Sequence, residues 1–200
     1  MTRNIIQLLL FLSLLSCNNP TLPYFGIPGT SKEGEQIPHT VKPFEFTNQD
    51  NQPITQDYLK GKITVVDFFF STCPSICPIM TRNMAKVQQE WSKNNTVQFL
   101  SHTVDPKTDT PEKLKRYAKR NNANTENWHF VTGEKEKLYS AGVYSYLVSA
   151  SEDVLAPGGF LHSELFILVD EKLHIRGVYD GTNDKDIHRL NSEIKTLLNE

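Results

Sequence analysis

The stretch KITVVDFFFSTCPSICPIM, residues 62–80, joins a strand pattern to a pair of cysteines. Its first part, KITVVDFFF, is a continuous run rich in β-branched and aromatic residues, which is typical of a strand buried on both faces of a sheet. Cys73 and Cys77 follow it, and each directly precedes a proline. Beyond them, apolar residues recur at helical spacing: Met80, Met84, Val87 and Trp91. The stretch therefore predicts a central strand that leads into a helix, with both cysteines at the junction.

Strand patterns and helix patterns alternate along the rest of the chain. Phe44 and Phe46 open an edge strand, and further strands are predicted in TVQFLSHTV, WHFVTG, SELFILVD and LHIRGVYD. Helices are predicted in DTPEKLKRYAKRN, in EKEKLYSAGVYSYL and from about Asp184 onward. The predicted elements thus begin with a βαβ unit, continue through a crossover and end with a ββα unit. This is the order of the thioredoxin fold. We therefore predict an α/β protein with a thioredoxin-like fold, in which a central mixed sheet has helices on both faces and an N-terminal strand extension.

Composition excludes one class of partner. The chain has 200 residues, of which 38% are hydrophobic, and this suits one globular domain that buries its own core. It carries 21 basic and 23 acidic residues, with no basic block dense enough to neutralise a phosphate backbone. We therefore expect no nucleic-acid partner.

The N-terminus has the pattern of an export signal. Arg3 supplies positive charge, residues 5–15 are largely apolar, and the segment LLSC ends at Cys17. The apolar run is too short for a membrane-spanning helix, which needs about 20 residues. LLSC resembles the bacterial lipobox, which predicts a lipoprotein signal peptide over residues 1–16 and a diacylglycerol on Cys17. The alternative is an ordinary signal peptide with an incidental cysteine.

A tether is predicted between this anchor and the folded domain. Residues 17–40 are rich in proline and glycine and have no sustained apolar period. A flexible coil of this kind spans about 25 Å, which lifts a domain clear of a lipid surface. We thus expect an extracytoplasmic, membrane-anchored lipoprotein on the periplasmic side, with its functional domain over residues 41–200.

The prolines after the two cysteines indicate how the pair is presented. The residue before a proline is pushed away from helical angles, so the pair is expected on a loop, with the helix starting near residues 76–78. A helix N-terminus lowers the pKa of nearby thiols. Three interpretations stay open: a stabilising disulfide, a redox pair like that of thioredoxin but with one more intervening residue, and a metal site that needs a further ligand.

Histidine is the residue type most able to complete a metal site, and the chain has six. His102 alternates with Leu100 and Val104 on a predicted central strand, which favours core packing. His162 differs, because it follows a glycine-bearing loop and directly precedes the penultimate strand. In the thioredoxin order this junction lies opposite the cysteine loop. The other four are interpreted as satisfied or solvated side chains: His39, His129, His174 and His188.

Cys73, Cys77 and His162 would together form a set of two sulfur ligands and one nitrogen ligand. Soft sulfur ligands favour Cu(I), which accepts three-coordination, whereas structural zinc usually takes a fourth ligand. An open catalytic zinc site is the alternative, although the sequence places no obvious general base beside it. The prolines make a mobile loop that suits metal exchange.

Three ordered motifs resemble the Sco/SenC family: STCPSICPIM, TVDPKTDTP and HSELFILVD. The resemblance runs from about Phe44 to the C-terminus. It implies a membrane-tethered, thioredoxin-like copper-binding protein that helps to assemble the dicopper site of cytochrome c oxidase. By the same resemblance, Cys73, Cys77 and His162 match the family's copper ligands. Many members are anchored by a transmembrane helix. A lipid anchor would therefore change how the protein is attached to the membrane, but not the attachment itself.

Two acidic residues also match the family pattern, at Asp105 and Asp109. Each has a structural interpretation. Asp105 can close a turn before Pro106. Asp109 or Thr110 can cap the next helix, and Asp109 has Glu112 three residues later, as in a capping box. We do not assign either residue to copper.

The sequence thus predicts a monomeric metallochaperone that delivers copper to the copper-binding subunit of a respiratory oxidase. The alternative is a thiol-disulfide oxidoreductase that uses Cys73 and Cys77 as a redox pair to reduce that subunit's cysteines. A weaker alternative is a peroxidase-like scavenger with sulfenic-acid chemistry. The chaperone needs His162, and the oxidoreductase does not.

Overall fold

A computed structural model of the chain describes residues 21–153 and 159–200, without the side chains of Leu161 and His162. In chain order the strands of the described part are β1 (Gly29–Thr30), β2 (Gln36–Ile37), β3 (Glu45–Asn48), β4 (Pro53–Thr55), β5 (Ile63–Phe69), β6 (Val97–Thr103), β7 (Trp128–Thr132), β8 (Ala150–Glu152), β9 (Phe160–His162), β10 (Leu165–Val169) and β11 (Ile175–Asp180). The helices are α1 (Cys77–Glu90), α2 (Pro111–Arg120), α3 (Lys135–Ser140) and α4 (Asp184–Leu197).

Seven of these strands form the central sheet, in the order β11-β10-β5-β6-β7-β3-β4. The three in the middle, β5, β6 and β7, run parallel, while β10 and β3 pair antiparallel with the parallel block. Every residue of β5 and β6 is buried, as the continuous apolar run predicts. The mixed sheet of the sequence prediction is confirmed.

Helices cover both faces of this sheet. Neighbouring residues on a strand point to opposite faces, and on β5 the ring of Phe69 contacts Tyr117 of α2 while Phe68 contacts Tyr146 beyond α3. The hydroxyls of Thr81 and Tyr117 form a hydrogen bond of 2.7 Å that joins α1 to α2 on the first face. The thioredoxin-like arrangement is confirmed.

Two details differ from the sequence prediction. The strand opened by Phe44 and Phe46 is not at the edge, because β3 pairs with β7 on one side and with β4 on the other. The edge is β4, and it begins at Pro53, whose missing N–H is tolerated there. The helix after β7 also changes type along its length. The α-helix α3 ends at Ser140, and a π-helix follows over Ala141–Tyr146.

The described part of the predicted tether makes contacts with the domain. Residues 29–37 form the β1–β2 hairpin, and Phe25 and Thr40 form isolated bridges with Ile175 and His174. The Arg176 guanidinium also donates to the Leu22 carbonyl at 2.7 Å. These contacts position the segment beside β11, and its role as a tether stays a prediction.

The predicted membrane anchor falls elsewhere. The signal peptide of residues 1–16 and the lipidation at Cys17 lie outside the described residues. Within the described ranges, no helix has the length and apolar character needed to cross a bilayer.

Candidate metal centre

The cysteine pair sits where the central strand ends and α1 begins. β5 ends at Phe69, Cys73 lies on the following loop, and Cys77 is the first residue of α1. The Cys73 N–H donates to the carbonyl of Phe70 at 3.1 Å. Pro78 occupies the first helical turn, where a missing N–H leaves no hydrogen bond broken. The predicted helix start near residues 76–78 is confirmed. The predicted loop position holds for Cys73, whereas Cys77 already belongs to α1.

The two thiols differ in electrostatic environment, and no disulfide joins them in this structure. Burial by itself would raise the pKa of Cys73, but hydrogen bonds from the backbone of Ser75 and Cys77 and from their side chains lower it overall. For Cys77, burial raises the pKa well above its ordinary value, and the charges of Cys73 and Asp67 raise it further. Cys73 is also the more exposed side chain, at 8% against 1%. It is therefore the residue that more readily carries a thiolate.

Asp109 fixes the start of the cysteine loop from the neighbouring segment. Its carboxylate accepts the Ser71 N–H at 3.0 Å, the Ser71 hydroxyl, and the Thr103 hydroxyl at 2.7 Å. The carboxylate is fully buried, and its nearest cation is the Lys113 ammonium at 3.7 Å. Asp109 therefore ties the loop after β5 to the end of β6.

Of the two α2 caps that the sequence allows, Asp109 and Thr110, the structure selects Thr110, and Asp109 has the role described above instead. The cap of α2 is Thr110, whose hydroxyl accepts the N–H of Lys113. Glu112 is then one position too early for a capping box, so that interpretation was wrong. Asp105 behaves as expected, because its carboxylate accepts the Thr108 N–H at 3.2 Å and closes the turn.

Asp67 is a candidate functional residue that the sequence reasoning missed. It lies on β5 with 2% exposure and accepts a hydrogen bond of 2.5 Å from the Ser101 hydroxyl. Ser101 in turn accepts the indole N–H of Trp128 at 2.8 Å. Burial raises the pKa of Asp67 to about 7, although the Ser101 hydrogen bond opposes the shift. The available signal was a single carboxylate inside an otherwise uncharged strand.

His162 is the last residue of β9 and pairs with Ala150 across the β8–β9 hairpin. The hairpin lies beside the cysteine loop, because the ring of Phe160 on β9 is 5.1 Å from the ring of Phe70. The side chain of His162 lies outside the described residues, so its assignment as the third ligand stays a prediction. Among the described side chains, no group of three or more metal-ligating residues is brought together.

His102 is placed as a structural residue of the core. His102 is fully buried, with Phe44, Phe46, Phe68 and Tyr146 around its ring. Burial lowers the pKa of His102 to about 3, so the ring is neutral at physiological pH. This agrees with the core position that its strand pattern predicts.

The comparison with protein families matches this arrangement to a known group. The family described as SCO1/SenC matches residues 32–199. The chain belongs to the SCO1/SenC family. The match covers the cysteine loop, the β6–α2 segment and the β9–β10 segment, so the family predicted from the three sequence motifs is confirmed.

Solved structures of SCO1/SenC proteins share the fold. A SCO1/SenC family lipoprotein from Bacillus anthracis is 33% identical, with a TM-score of 0.73 over 80% of this chain and 95% of that one. BsSco, a member of the Sco family of cytochrome c oxidase assembly proteins with an identified disulfide switch, is 28% identical, with a TM-score of 0.70 over 80% and 93%. Yeast Sco1 with copper bound is 26% identical, with a TM-score of 0.64 over 79% and 90%.

Proposed function

We propose that this SCO1/SenC protein takes up a copper ion through Cys73, Cys77 and His162 and delivers it to the dicopper site of cytochrome c oxidase. The observation that carries the proposal is the pair of unbridged thiols at the junction of β5 and α1 in a chain of this family. Copper bound to yeast Sco1, a relative with the same fold, supports it. The position of Phe160 against Phe70 supports His162 as the third ligand, since it brings β9 to the cysteine loop.

The donor set suits a metal that must be released again. Two thiolates and an imidazole bind Cu(I) strongly without filling four positions, so an entering ligand can reach the ion. In the transfer, a thiolate of the recipient bonds to copper and a thiolate of this protein leaves, with no change in the oxidation state of the metal. Cys73 is the first thiolate to leave, because its pKa is lower and its side chain more exposed than those of Cys77.

Oxidation of the pair would control this activity. A Cys73–Cys77 disulfide removes both sulfur ligands and releases two electrons and two protons to an oxidant, so copper binding requires the reduced protein. A disulfide switch has been identified in BsSco, and this supports redox control of the cysteine pair here.

A lipid on Cys17 would hold the domain at the extracytoplasmic face of a membrane. Two or more acyl chains are needed for stable attachment, since each buried CH₂ contributes about 0.8 kcal/mol. The Bacillus anthracis relative is a lipoprotein, which supports this anchor. Attachment would keep the protein near an oxidase subunit in the same membrane.

A second candidate function, thiol-disulfide exchange, is favoured by the difference between the two thiols. Cys73 would attack a disulfide of the oxidase subunit and form a mixed disulfide. Cys77 would then attack Cys73, which releases the reduced substrate and leaves the Cys73–Cys77 disulfide. The more acidic, more exposed cysteine would be the attacking one, as at other reactive thiols.

One experiment separates the two functions. The Cu(I)-loaded protein is mixed with the copper-binding domain of the oxidase subunit, and metal transfer is followed beside a disulfide-reduction assay. The chaperone account expects His162→Ala to lose copper transfer. Full disulfide reduction by His162→Ala, with no copper transfer by the wild type, would support the oxidoreductase instead.

A further inference from the structure

A basic groove of about 710 Å³ runs along α1, away from the cysteine loop. One wall is formed by Pro78, Arg82 and Lys86 of α1, and the other by Arg120 and Asn122 at the end of α2. The three α1 residues of this wall are four positions apart in sequence, and this spacing places them on one face of the helix. Pro78 directly follows Cys77, so the α1 wall starts one residue after the second cysteine, and Pro78 and Lys86 are about 12 Å apart along the helix axis.

The charge of the groove is opposite to that of the whole protein. The chain has a formal charge of −2, yet the ionisable residues that line the groove are Arg82, Lys86 and Arg120, with no carboxylate among them. Two carboxylates contact the lining from outside: Asp184 lies 3.9 Å from the Lys86 ammonium, and Glu126 accepts from the Asn124 side-chain amide at 3.5 Å. The Lys86 and Asp184 side chains are largely exposed, so their attraction is weak. The three cations of the lining therefore outnumber the carboxylates that contact it.

Folding explains only part of this charge. Arg120 lies in the last turn of α2, where a cation is favourable, and it also sits 5.3 Å from the Tyr117 ring. Arg82 lies in the middle of the exposed face of α1 and makes no hydrogen bond or ion pair with any residue of the described structure. Its guanidinium is available to a partner.

The floor of the groove is held rigidly and leaves further donors free. The Gln88 amide donates to the Asn124 carbonyl at 2.8 Å and to the Asn127 side chain at 2.6 Å, and it accepts the Asn124 N–H at 3.0 Å. Within the described part of the chain, the side-chain amides of Gln89 and Asn122 have no hydrogen-bond partner. Cations and amides thus alternate along one elongated, preorganised surface.

We propose that this groove binds an acidic polypeptide segment of the protein that exchanges copper or thiols with Cys73 and Cys77. The proposal rests on the proposed function in that it names how the partner is oriented there. An extended acidic segment would match the spaced cations with its carboxylates and the amides with its backbone groups. A single small anion would contact only one of these cations, and a flat lipid surface would not enter the groove.

The test uses two synthetic peptides, each with one C-terminal cysteine activated as a mixed disulfide with 5-thio-2-nitrobenzoate. One peptide contains six glutamates and the other has glutamine in their place. All proteins in this rate assay also carry Cys77→Ser, so that Cys77 does not resolve the adduct. The Cys73 thiolate attacks the peptide sulfur, forms a Cys73–peptide disulfide and expels the coloured thiolate, and mass spectrometry identifies the Cys73 adduct. We expect the acidic peptide to react about tenfold faster at low ionic strength, with an advantage that shrinks as salt is added.

Charge-reversed variants locate the effect. In Arg82→Glu/Lys86→Glu/Arg120→Glu the acidic peptide should lose its advantage. Lys32→Glu/Lys60→Glu/Lys172→Glu makes the same change in net charge at exposed residues outside the groove, and it should keep the advantage. Retained preference in the groove variant, or equal loss in both variants, would overturn the proposal.

Two further arms distinguish other occupants. Vesicles containing half phosphatidylglycerol, or inorganic phosphate at matched ionic strength, should leave the acidic advantage in place. If either one abolishes it, and binds wild type but not the groove variant, the groove serves a lipid surface or a small anion and the proposal is wrong.

A measurement of copper binding distinguishes a failure of the groove proposal from a failure of the proposed copper function. The groove variant retains all three predicted ligands, so its copper stoichiometry should equal that of the wild type. Wild-type protein that binds no copper but keeps the acidic advantage would overturn the copper function and leave the groove intact. Wild-type protein that binds copper but reacts equally fast with both peptides would overturn the groove proposal alone.

Discussion

Asp109 and Ser71 are joined by two hydrogen bonds: the Ser71 N–H donates to one carboxylate oxygen at 3.0 Å, and the Ser71 hydroxyl donates to the other. These residues are 38 positions apart in the chain. The contact makes the segment before α2 part of the support of the loop that carries Cys73. The geometry of the cysteine pair therefore depends on a residue that need not touch the metal.

Replacing Asp109 should loosen this loop. Asp109→Ala leaves the Ser71 and Thr103 donors without their buried acceptor, which should cost about 2–4 kcal/mol in the free energy of unfolding. Asp109→Asn keeps one acceptor oxygen and should cost less. Urea unfolding measures the stability, and the rate of Cys73 alkylation by iodoacetamide measures the loosening. Unchanged values of both in Asp109→Ala would show that the contact does not hold the loop.

The two cysteines should differ in reactivity. Cys73 has the lower pKa and the greater exposure, whereas burial raises the pKa of Cys77. We expect iodoacetamide at pH 7.5, as a chosen condition near neutrality, to alkylate Cys73 at least about tenfold faster. The single variants Cys73→Ser and Cys77→Ser assign each rate. Equal rates in the two variants would contradict the environments described above.

Asp67 should make stability depend on pH in an unusual direction. Its folded pKa of about 7 lies above the ordinary value of 3.8, so the folded state binds the proton more tightly than the unfolded state. Its contribution to stability is therefore greatest below about pH 4 and is lost as the pH rises toward 7, by up to about 4 kcal/mol.

Asp67→Asn tests this directly, because asparagine does not titrate and can still accept the Ser101 hydrogen bond. The stability of the variant relative to the wild type should rise between pH 4 and 7 and then level off. Ser101→Ala serves as the control, since it removes the hydrogen bond but keeps the carboxyl group. A difference between Asp67→Asn and wild type that is constant with pH would refute the raised pKa.

Arg176 should anchor the N-terminal segment to the domain. Its buried guanidinium donates to Asp170 at 3.1 Å, to Glu200 at 2.7 Å and to the Leu22 carbonyl at 2.7 Å, and it lies 4.5 Å from the Tyr24 ring. Arg176→Met leaves two carboxylates without their cation, so we expect a loss of about 3–5 kcal/mol and faster proteolysis near Tyr24.

Arg189→Met is the matched control for Arg176→Met. Arg189 also pairs with two carboxylates and an aromatic ring, but its side chain is 42% exposed, and such pairs contribute about 1 kcal/mol or less. Comparable losses in the two variants would mean that burial of Arg176 has no special effect.

The fold could be predicted because its main elements have strong local patterns. The all-buried β5 is a continuous β-branched and aromatic run, and α2 begins at a proline after a threonine cap. The edge strand was misplaced because β4 is only the three residues Pro53–Thr55, too short to show a period, and its pairing with β3 is visible only in the sheet.

Only those features of the site that depend on neighbouring residues in the sequence could be predicted. The proline after each cysteine predicted a loop that enters a helix, and α1 starts at Cys77. The hydrogen bonds of Asp109 to Ser71 and of Asp67 to Ser101 join distant segments, so neither role could be deduced from neighbouring residues. The assignment of His162 depends on folding in the same way and stays a prediction.

The most direct test of the copper function is the stoichiometry and absorption of copper on the reduced protein, compared between wild type and His162→Ala. We predict one copper ion per wild-type chain, bound with thiolate character, and an affinity lower by orders of magnitude in His162→Ala. Cys73→Ser and Cys77→Ser should lose binding similarly. Wild-type affinity and an unchanged spectrum in His162→Ala would contradict the three-ligand site.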